Sequence, residues 1–290
     1  MVPLLIFGFG IGCVYALVGA GFSLVFKTTG IVNFAQGSFV TLGALGAYAV
    51  LAEGVPYAIA VLAGVGLAVA GGLILWYVVL TPLIMRDAPG YAPNIATLVY
   101  LAVVTDLMLL WQGANPNLLP VWAPQTQFHV LGANVSIMYL YVVLAAAVLL
   151  GGLGIVLRAT RLGIGMRACA VDRETSQLLG LSPRLLGGMA MGLMAGIGGV
   201  GGVLIGSLQY AAYDSGVTFG LYGFVAAVAG GFGSLPGAVI AGVLLGILQE
   251  LLARYVSSDF SDAFALILLL CILVVRPGGL MGARIRFMSR

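Results

Sequence analysis

The sequence predicts an all-α fold, a polytopic transmembrane helix bundle that occupies residues 1–290 as a single domain. Hydrophobic residues make up 62% of the chain and charged residues 7%, whereas roughly a quarter of a soluble globular protein is charged. Long apolar segments recur along the chain, and the polar segments between them differ in basic charge. These observations exclude a soluble enzyme, a nucleic-acid-binding protein and a disordered chain.

Eight apolar segments are candidates for helices that cross the membrane, which needs about 20 residues per crossing. They lie near 2–26, 34–52, 56–80, 94–112, 136–157, 185–205, 236–256 and 262–276. The first segment follows no basic n-region, so we expect a retained span and not a signal peptide. A ninth segment, 217–231, is short and rich in glycine, and it either crosses or re-enters within protein. The prediction is therefore eight or nine spans.

Basic residues predict the orientation of the bundle. Five arginines lie in 158–184 and four lie after Val275, so the positive-inside rule places both regions in the cytoplasm. The stretch 113–135 contains no Lys or Arg and is expected outside. Counting spans from these regions puts the N-terminus outside, and the C-terminus is cytoplasmic only if 217–231 crosses. Nine crossings therefore fit the charges best.

Small residues at a spacing of four predict close helix packing, because backbones approach where side chains are small. The runs are Gly8, Gly12, Ala16 and Ala20; Gly188, Gly192 and Gly196; Gly198, Gly202 and Gly206; and Gly242 with Gly246. We expect these faces to form a tight bundle.

The chain lacks the residues that catalysis would need. The chain has a single histidine, His129, so it cannot form an HExxH metal site, which needs two. A Ser-His-Asp triad would have to use this one loop residue. Lys27 follows Phe26 and not glycine, so no P-loop is present and any ATP would be hydrolysed by another subunit. The three cysteines, Cys13, Cys169 and Cys271, form no CxxC pair and are expected as packing residues. We expect no enzyme activity, bound metal or resident cofactor.

The basic segment 158–184 contains the start and stop signals of a short helix. Asp172 and Glu174 supply acid near its start, Gly180 follows its end, and Pro183 begins the next span. Two interpretations remain open: a solvated loop, or a short cytoplasmic helix that presents Leu178 and Leu179 to a partner protein.

Polar residues at membrane depth are candidates for a solute pathway, because they tend to face the bundle interior or a water-filled path. Four of them, Asn33, Gln36, Ser38 and Thr41, lie at the start of the second apolar segment, where ordinary capping by Asn33 competes with solute contact. Asp106 lies within the fourth segment, where a carboxylate costs roughly 2.5–3.5 kcal/mol on insertion scales. We therefore expect Asp106 to face protein.

Four blocks of the sequence carry a family resemblance: TGIVNFAQGSFVTLGA, IATLVYLAVVTDLMLLWQGANP, MRACAVDRETSQLLGLSP, and GGFGSLPGAVIAGVLLGILQELLARYVSS closed by VVRPGGLMG. They resemble the branched-chain amino acid ABC-transporter permeases, the membrane subunits of hydrophobic amino acid uptake systems. The resemblance implies a bacterial inner-membrane protein that pairs with a second permease subunit, more often a paralogue than an identical copy. It also implies two cytoplasmic ATPase subunits, which use the ATP, and an extracytoplasmic substrate-binding protein.

By the same resemblance, 166–183 corresponds to the coupling segment that docks in an ATPase groove. Asp172, Glu174 and Gly180 occupy matching positions, and Arg167 and Leu179 join them as candidate ATPase contacts. The acidic Asp106 and the Gln36 in place of a commoner His depart from the family pattern. The solute therefore stays open among leucine, isoleucine, valine, urea, amides and aromatic acids.

The expected function is that of an ABC-importer permease whose access alternates as the ATPase dimer moves the coupling helix. Candidate pathway residues are Asn33, Gln36, Ser38, Thr41 and Asp106. The alternative is an ATP-independent secondary transporter or channel in which Asp106 binds a proton or cation.

Overall fold

The computed structural model describes residues 2–120, 127–130, 133–171, 173–256, 260–276 and 278–281. In chain order the elements are α1 (Val2–Thr29), α2 (Gln36–Ala52), α3 (Tyr57–Ile74), a π-helical turn (Leu75–Leu80), α4 (Thr81–Met85), α5 (Ala92–Gln112), β1 (Gln127–Val130), β2 (Ala133–Ser136), α6 (Ile137–Ala159), α7 (Arg161–Val171), α8 (Arg173–Leu178), α9 (Pro183–Leu208), α10 (Ser215–Gly230), α11 (Leu235–Tyr255) and α12 (Ser261–Val275). The predicted helical membrane bundle is confirmed.

Six helices among the described residues are long and apolar enough to cross a membrane. They are Leu4–Thr29, Tyr57–Met85, Ala92–Gln112, Ile137–Ala159, Pro183–Leu208 and Leu235–Tyr255. Three apolar helices are shorter: Gln36–Ala52, Ser215–Gly230 and Ala263–Val275. Each of the nine predicted segments is therefore a helix, but the count of eight or nine crossings stays a prediction.

A two-stranded antiparallel hairpin departs from the all-α prediction. It pairs Gln127 of β1 with Ser136 of β2, and it lies at the end of the segment that we expected as an outer loop. Ser136 then caps α6, because its side chain accepts a hydrogen bond from the N–H of Met138 at 3.3 Å. The hairpin thus leads directly into a span.

The predicted glycine faces do form helix contacts. On α1, a Cβ added at Gly12 would lie 2.8 Å from the backbone of Val243 in α11, and one added at Gly8 would lie 2.7 Å from Ile247. In α11, Gly242 and Gly246 meet the α1 backbone in the same way. These two helices therefore approach closely enough that glycine is required at the contact.

The helices divide into an inner and an outer group. In α1 and in α9, 72% of an apolar stretch of 18 residues is buried inside the protein. The buried share of the corresponding stretch is 17% in α5 and 22% in α6. α1 packs directly on α9 and α10, and α2 also packs on α9 and α10, so these four inner helices form the core. The outer helices expose apolar faces that suit lipid or another membrane subunit.

One of the three free cysteines, Cys271 of α12, is exposed and does not fill the packing role that we expected.

Candidate functional site

The first turns of α2 and α10 meet inside the bundle. Gln36 begins α2 beside Met194, close to the midpoint of the 26-residue α9. Early in α10, the ring of Phe219 lies 6.1 Å from that of Tyr15, at the midpoint of the 28-residue α1. Both helices thus start near half-depth, and their N-terminal ends carry partial positive charge. Helix N-termini that lie near half-depth bind solutes in several secondary transporters.

Two glycines allow this meeting. A Cβ added at Gly37 would overlap the carbonyl oxygen of Gly216, and one added at Gly216 would overlap the carbonyl oxygen of Gly37. The Oγ1 of Thr41 accepts a hydrogen bond from the N–H of Gly216 at 2.8 Å. That N–H belongs to the first turn of α10, where no intrahelical acceptor is available. Thr41 therefore holds the two helix ends together.

The other three polar candidates lie within the same buried cluster. The Oγ of Ser38 donates to the carbonyl of Ala35 at 2.7 Å. The Oδ1 of Asn33 accepts from the N–H of Ala35 at 3.2 Å, in the turn that precedes α2. That bond stabilises the turn before α2 and does not cap the helix, because the N-cap residue is Ala35 and α2 has no side-chain cap hydrogen bond.

Gln36 is the least satisfied member of the cluster. Its Nε2 donates to the carbonyl of Met194 at 3.2 Å, but its Oε1 is buried without a hydrogen-bond partner. Asn33, Gln36, Ser38 and Thr41 are each at most 1% exposed. In this conformation, therefore, they belong to the wall of the subunit and face no open cavity.

Two further residues position this cluster and were missed in the sequence. The Oδ1 of Asn94 accepts from the N–H of Val32 at 3.2 Å, and the Oγ1 of Thr97 accepts from the N–H of Phe34 at 3.1 Å. Both acceptors lie in the first turns of α5 and fix the turn that leads into α2. The sequence feature that could have indicated them is a pair of polar residues, Asn94 and Thr97, at the start of an apolar span.

Asp106 lies apart from this cluster. It is exposed on the outer face of α5, between the exposed apolar side chains of Val103, Leu107 and Leu110. The structure therefore brings four of the five pathway candidates together and leaves out the fifth. The expectation that Asp106 faces protein is not met within this chain.

The segment 158–184 contains the short helix that the start and stop signals predict. α8 begins at Arg173 and ends at Leu178. Gly180 follows in the left-handed region with φ of 81° and donates its N–H to the carbonyl of Gln177 at 2.9 Å. The N–H of Leu181 reaches the carbonyl of Ser176 at 3.0 Å, which completes a Schellman motif.

The apolar tip of this segment points away from the bundle. Leu178 is 88% exposed and Leu179 is 75% exposed. Arg167 is exposed in α7, where its Nη2 lies 3.5 Å from the carbonyl oxygen of Arg158. Glu174 lies in α8, and Asp172 lies outside the described residues. The two exposed leucines form an apolar surface that a partner protein could cover.

The segment is fixed to the bundle through the π-helical turn. Trp76 is buried and donates its Nε1 to the carbonyl of Arg184 at 2.8 Å, one residue into α9. The guanidinium of Arg184 lies 5.8 Å from the ring centre of Tyr77. The Oγ1 of Thr81 donates to the carbonyl of Trp76 at 2.8 Å. Hydrophobic periodicity gives no signal for this turn, although such turns often occur at functional sites.

Comparisons with known proteins match nearly the whole chain. Residues 4–273 match the profile of the family described as "Branched-chain amino acid transport system / permease component". The permease protein BraD of Pseudomonas aeruginosa, named for high-affinity branched-chain amino acid transport, is 28% identical over 96% of this chain and 94% of its own length. LivH of Escherichia coli K12, with the same functional name, is 28% identical over 95% of this chain and 93% of its own length.

A third relative, from Methanocaldococcus jannaschii, is named a probable branched-chain amino acid transport permease protein LivH. It is 31% identical over 92% of this chain and 88% of its own length. No solved structure matches the chain at a significant level. Because the family profile covers nearly the whole sequence, the chain belongs to the branched-chain amino acid transport permease family.

Proposed function

We infer that this chain is a permease subunit of an ABC importer and forms part of the pathway for branched-chain or other hydrophobic amino acids. The family match over residues 4–273 carries this conclusion. The apolar helix bundle agrees with it, because a permease must be an integral membrane protein. The inner membrane and a cytoplasmic C-terminus are our proposal from the positive-inside rule.

The importer would contain a second permease subunit, two cytoplasmic ATPases that use ATP, and an extracytoplasmic binding protein. Support for an ATPase contact comes from the exposed Leu178 and Leu179 beside the Schellman motif at Gly180. The hydrogen bond from Trp76 to Arg184 ties the start of α9, the helix that follows this surface, to the π-helical turn. Movement of α8 by an ATPase would therefore reach α9 and the π-helical turn together.

The buried cluster of Asn33, Gln36, Ser38 and Thr41 is the proposed solute-contact region. A solute would reach these side chains only when the first turns of α2 and α10 separate. The unpartnered Oε1 of Gln36 would then be available to accept a hydrogen bond from an ammonium or amide group. Asp106 would join the pathway only if the second permease subunit packs on the exposed face of α5.

Reconstitution tests this function. Uptake of labelled leucine, urea and an aromatic acid would be measured in proteoliposomes with the chain alone and with both permeases, the ATPases and the binding protein. We expect concentrative uptake only in the complete system with ATP on the ATPase side, and none with an ATPase that cannot hydrolyse ATP. Uptake by the chain alone, driven by a proton or sodium gradient, would instead support the secondary-transporter alternative.

A further inference from the structure

A cavity of about 1020 Å³ opens between α1, α6, α7 and the start of α11. α6 contacts α1 near its start and borders the cavity towards its end. Near the start of α6 the two helices touch, with the rings of Phe7 and Tyr139 4.7 Å apart. Towards the other end, Leu153 of α6 and Leu24 of α1 both line the cavity. The cavity therefore lies at the end of the bundle that carries the basic segment.

The cavity is divided into an apolar wall and a basic rim. Leu24, Leu153 and Val239 contribute to the apolar wall. Three cations, Lys27 of α1, Arg158 of α6 and Arg167 of α7, lie among the lining residues. The positive-inside rule places this rim at the cytoplasmic face. The cavity therefore has the polarity of a phospholipid, with apolar surface at membrane depth and positive charge at the interface.

The three cations of the rim have no acidic neighbour among the described side chains of the cavity lining. The described residues that line the cavity include no Asp or Glu. Three like charges from separate helices repel one another unless an anion lies between them. The Oγ1 of Thr28, on the same wall, is buried without a hydrogen-bond partner and supplies a further donor. Each of these features favours a ligand that carries negative charge.

We propose that this cavity binds an anionic glycerophospholipid of the cytoplasmic leaflet. Its phosphate would lie at Lys27, Arg158 and Arg167, and an acyl chain would follow Leu153 and the rest of the apolar wall. Basic pockets between transmembrane helices on the cytoplasmic side recognise anionic head groups in this way. A free phosphate would use the basic rim but would leave the apolar wall in contact with water.

This site would connect the lipid to the segment 158–184, because α7 forms one wall of the cavity. The resemblance assigns Arg167 to an ATPase contact, whereas the cavity gives it a second partner. The proposal depends on the membrane orientation and not on which solute is transported. Lipid binding can therefore be tested on the purified full chain, without ATPase.

The first experiment measures retention of phosphatidylglycerol and phosphatidylcholine by native mass spectrometry. The test variant combines Lys27→Gln, Arg158→Gln and Arg167→Gln. The control combines Arg86→Gln, Arg161→Gln and Arg276→Gln, which removes the same charge from exposed arginines outside the cavity. We expect the unaltered chain and the control to prefer phosphatidylglycerol, and the test variant to lose roughly 10- to 100-fold in affinity. Equal losses in both variants would overturn the site.

A second pair of variants separates a lipid from a free anion. Gly154 lines the cavity and has open space at its Cβ, so Gly154→Trp fills the apolar part without a steric clash at the backbone. Gly152→Trp, on the same helix but outside the cavity lining, is the control. Gly154→Trp should displace phosphatidylglycerol, and inorganic phosphate should not compete for the site. Competition by phosphate, or retention of lipid in Gly154→Trp, would contradict the proposal.

Discussion

The Oγ1 of Thr41 accepts a hydrogen bond from the N–H of Gly216 at a distance of 2.8 Å, where the first turns of α2 and α10 meet. Both residues are buried, and Thr41 lies in α2 whereas Gly216 lies in α10. One side chain thus satisfies a backbone donor that water cannot reach. Any opening of this contact must expose that donor to water or to a solute.

Thr41→Val should weaken the contact while preserving the shape of the side chain. The N–H of Gly216 would lose its acceptor, and an unpaired buried donor costs about 1–3 kcal/mol. Thr41→Ser retains the acceptor and serves as the control. Thermal unfolding of the chain in detergent should show a lower midpoint for Thr41→Val than for Thr41→Ser. Identical midpoints would mean that the hydrogen bond contributes nothing.

Gly216→Ala should destabilise the fold through a steric clash. The new Cβ would overlap the carbonyl oxygen of Gly37 and the Oγ1 of Thr41, so the helices would have to separate. The matched control is Gly66→Ala in α3, where a Cβ meets no atom within 4 Å. The control should be neutral or stabilising by up to about 1 kcal/mol. If both variants unfold at the same temperature, the close approach of α2 and α10 is not required.

Substitution of Gly180 tests the coupling segment, because this residue has a backbone conformation that favours glycine. Its φ of 81° is unfavourable for other L-residues by about 1–2 kcal/mol, although a Cβ there would meet no neighbouring atom. A bulky replacement such as Gly180→Phe should therefore distort the end of α8 and uncouple ATP hydrolysis from uptake while the complex still assembles. Gly180→Asn, which tolerates this conformation, should retain more transport. Unchanged uptake per ATP in Gly180→Phe would remove the docking assignment.

Leu179→Asp tests the proposed ATPase surface directly. Because the side chain is 75% exposed, the change should leave the fold intact and place a charge on an apolar contact. Co-purification with the ATPases should fall, and loss of one buried leucine corresponds to roughly 10-fold in affinity or more. Leu118→Asp, also at an exposed leucine but in the segment predicted to lie outside, is the control. Normal co-purification of Leu179→Asp would place the contact elsewhere.

Asp106→Asn separates the two function classes. In a permease driven by ATPases, the variant should retain most of its concentrative uptake, because Asp106 lies outside the buried polar cluster. In a proton-coupled carrier, loss of the carboxylate should abolish accumulation. The measurement is uptake in proteoliposomes with ATP, compared with uptake under an imposed pH gradient. Accumulation that follows the pH gradient and disappears in Asp106→Asn would favour the carrier.

The sequence was sufficient to predict the nine apolar helices, because an apolar segment in lipid must satisfy its backbone hydrogen bonds within a helix. It also predicted the end of α8, since Gly180 followed by Pro183 is a local signal that needs no tertiary contact. It did not predict α7, which lies in the basic segment 158–184 and is not uniformly apolar. The small-residue runs of α1 and α11 were predicted as packing faces, because close helix packing requires small residues, but the sequence did not predict that these two helices pack on each other.

Three features could not be predicted from local patterns. The polar cluster at Asn33 and Gln36 indicated a helix start, but only tertiary contacts with Met194 show that the start lies at half-depth. The π-helical turn at Trp76 interrupts no apolar pattern, since both of its flanks remain apolar. Whether Asp106 is buried or exposed depends on which helices pack against α5, and the sequence of α5 alone does not determine that.

The π-helical turn has a mechanical consequence for the long helix Tyr57–Met85. A π turn holds more residues per turn than an α-helix, so it stores excess chain within the helix. If the bond between Trp76 and Arg184 broke and one excess residue left the turn, the part beyond Leu80 would rotate by about 100° and advance by about 1.5 Å. The part of the helix beyond Leu80 would thus have two discrete positions, and the hydrogen bond from Trp76 to the backbone carbonyl of Arg184 would stabilise the present one.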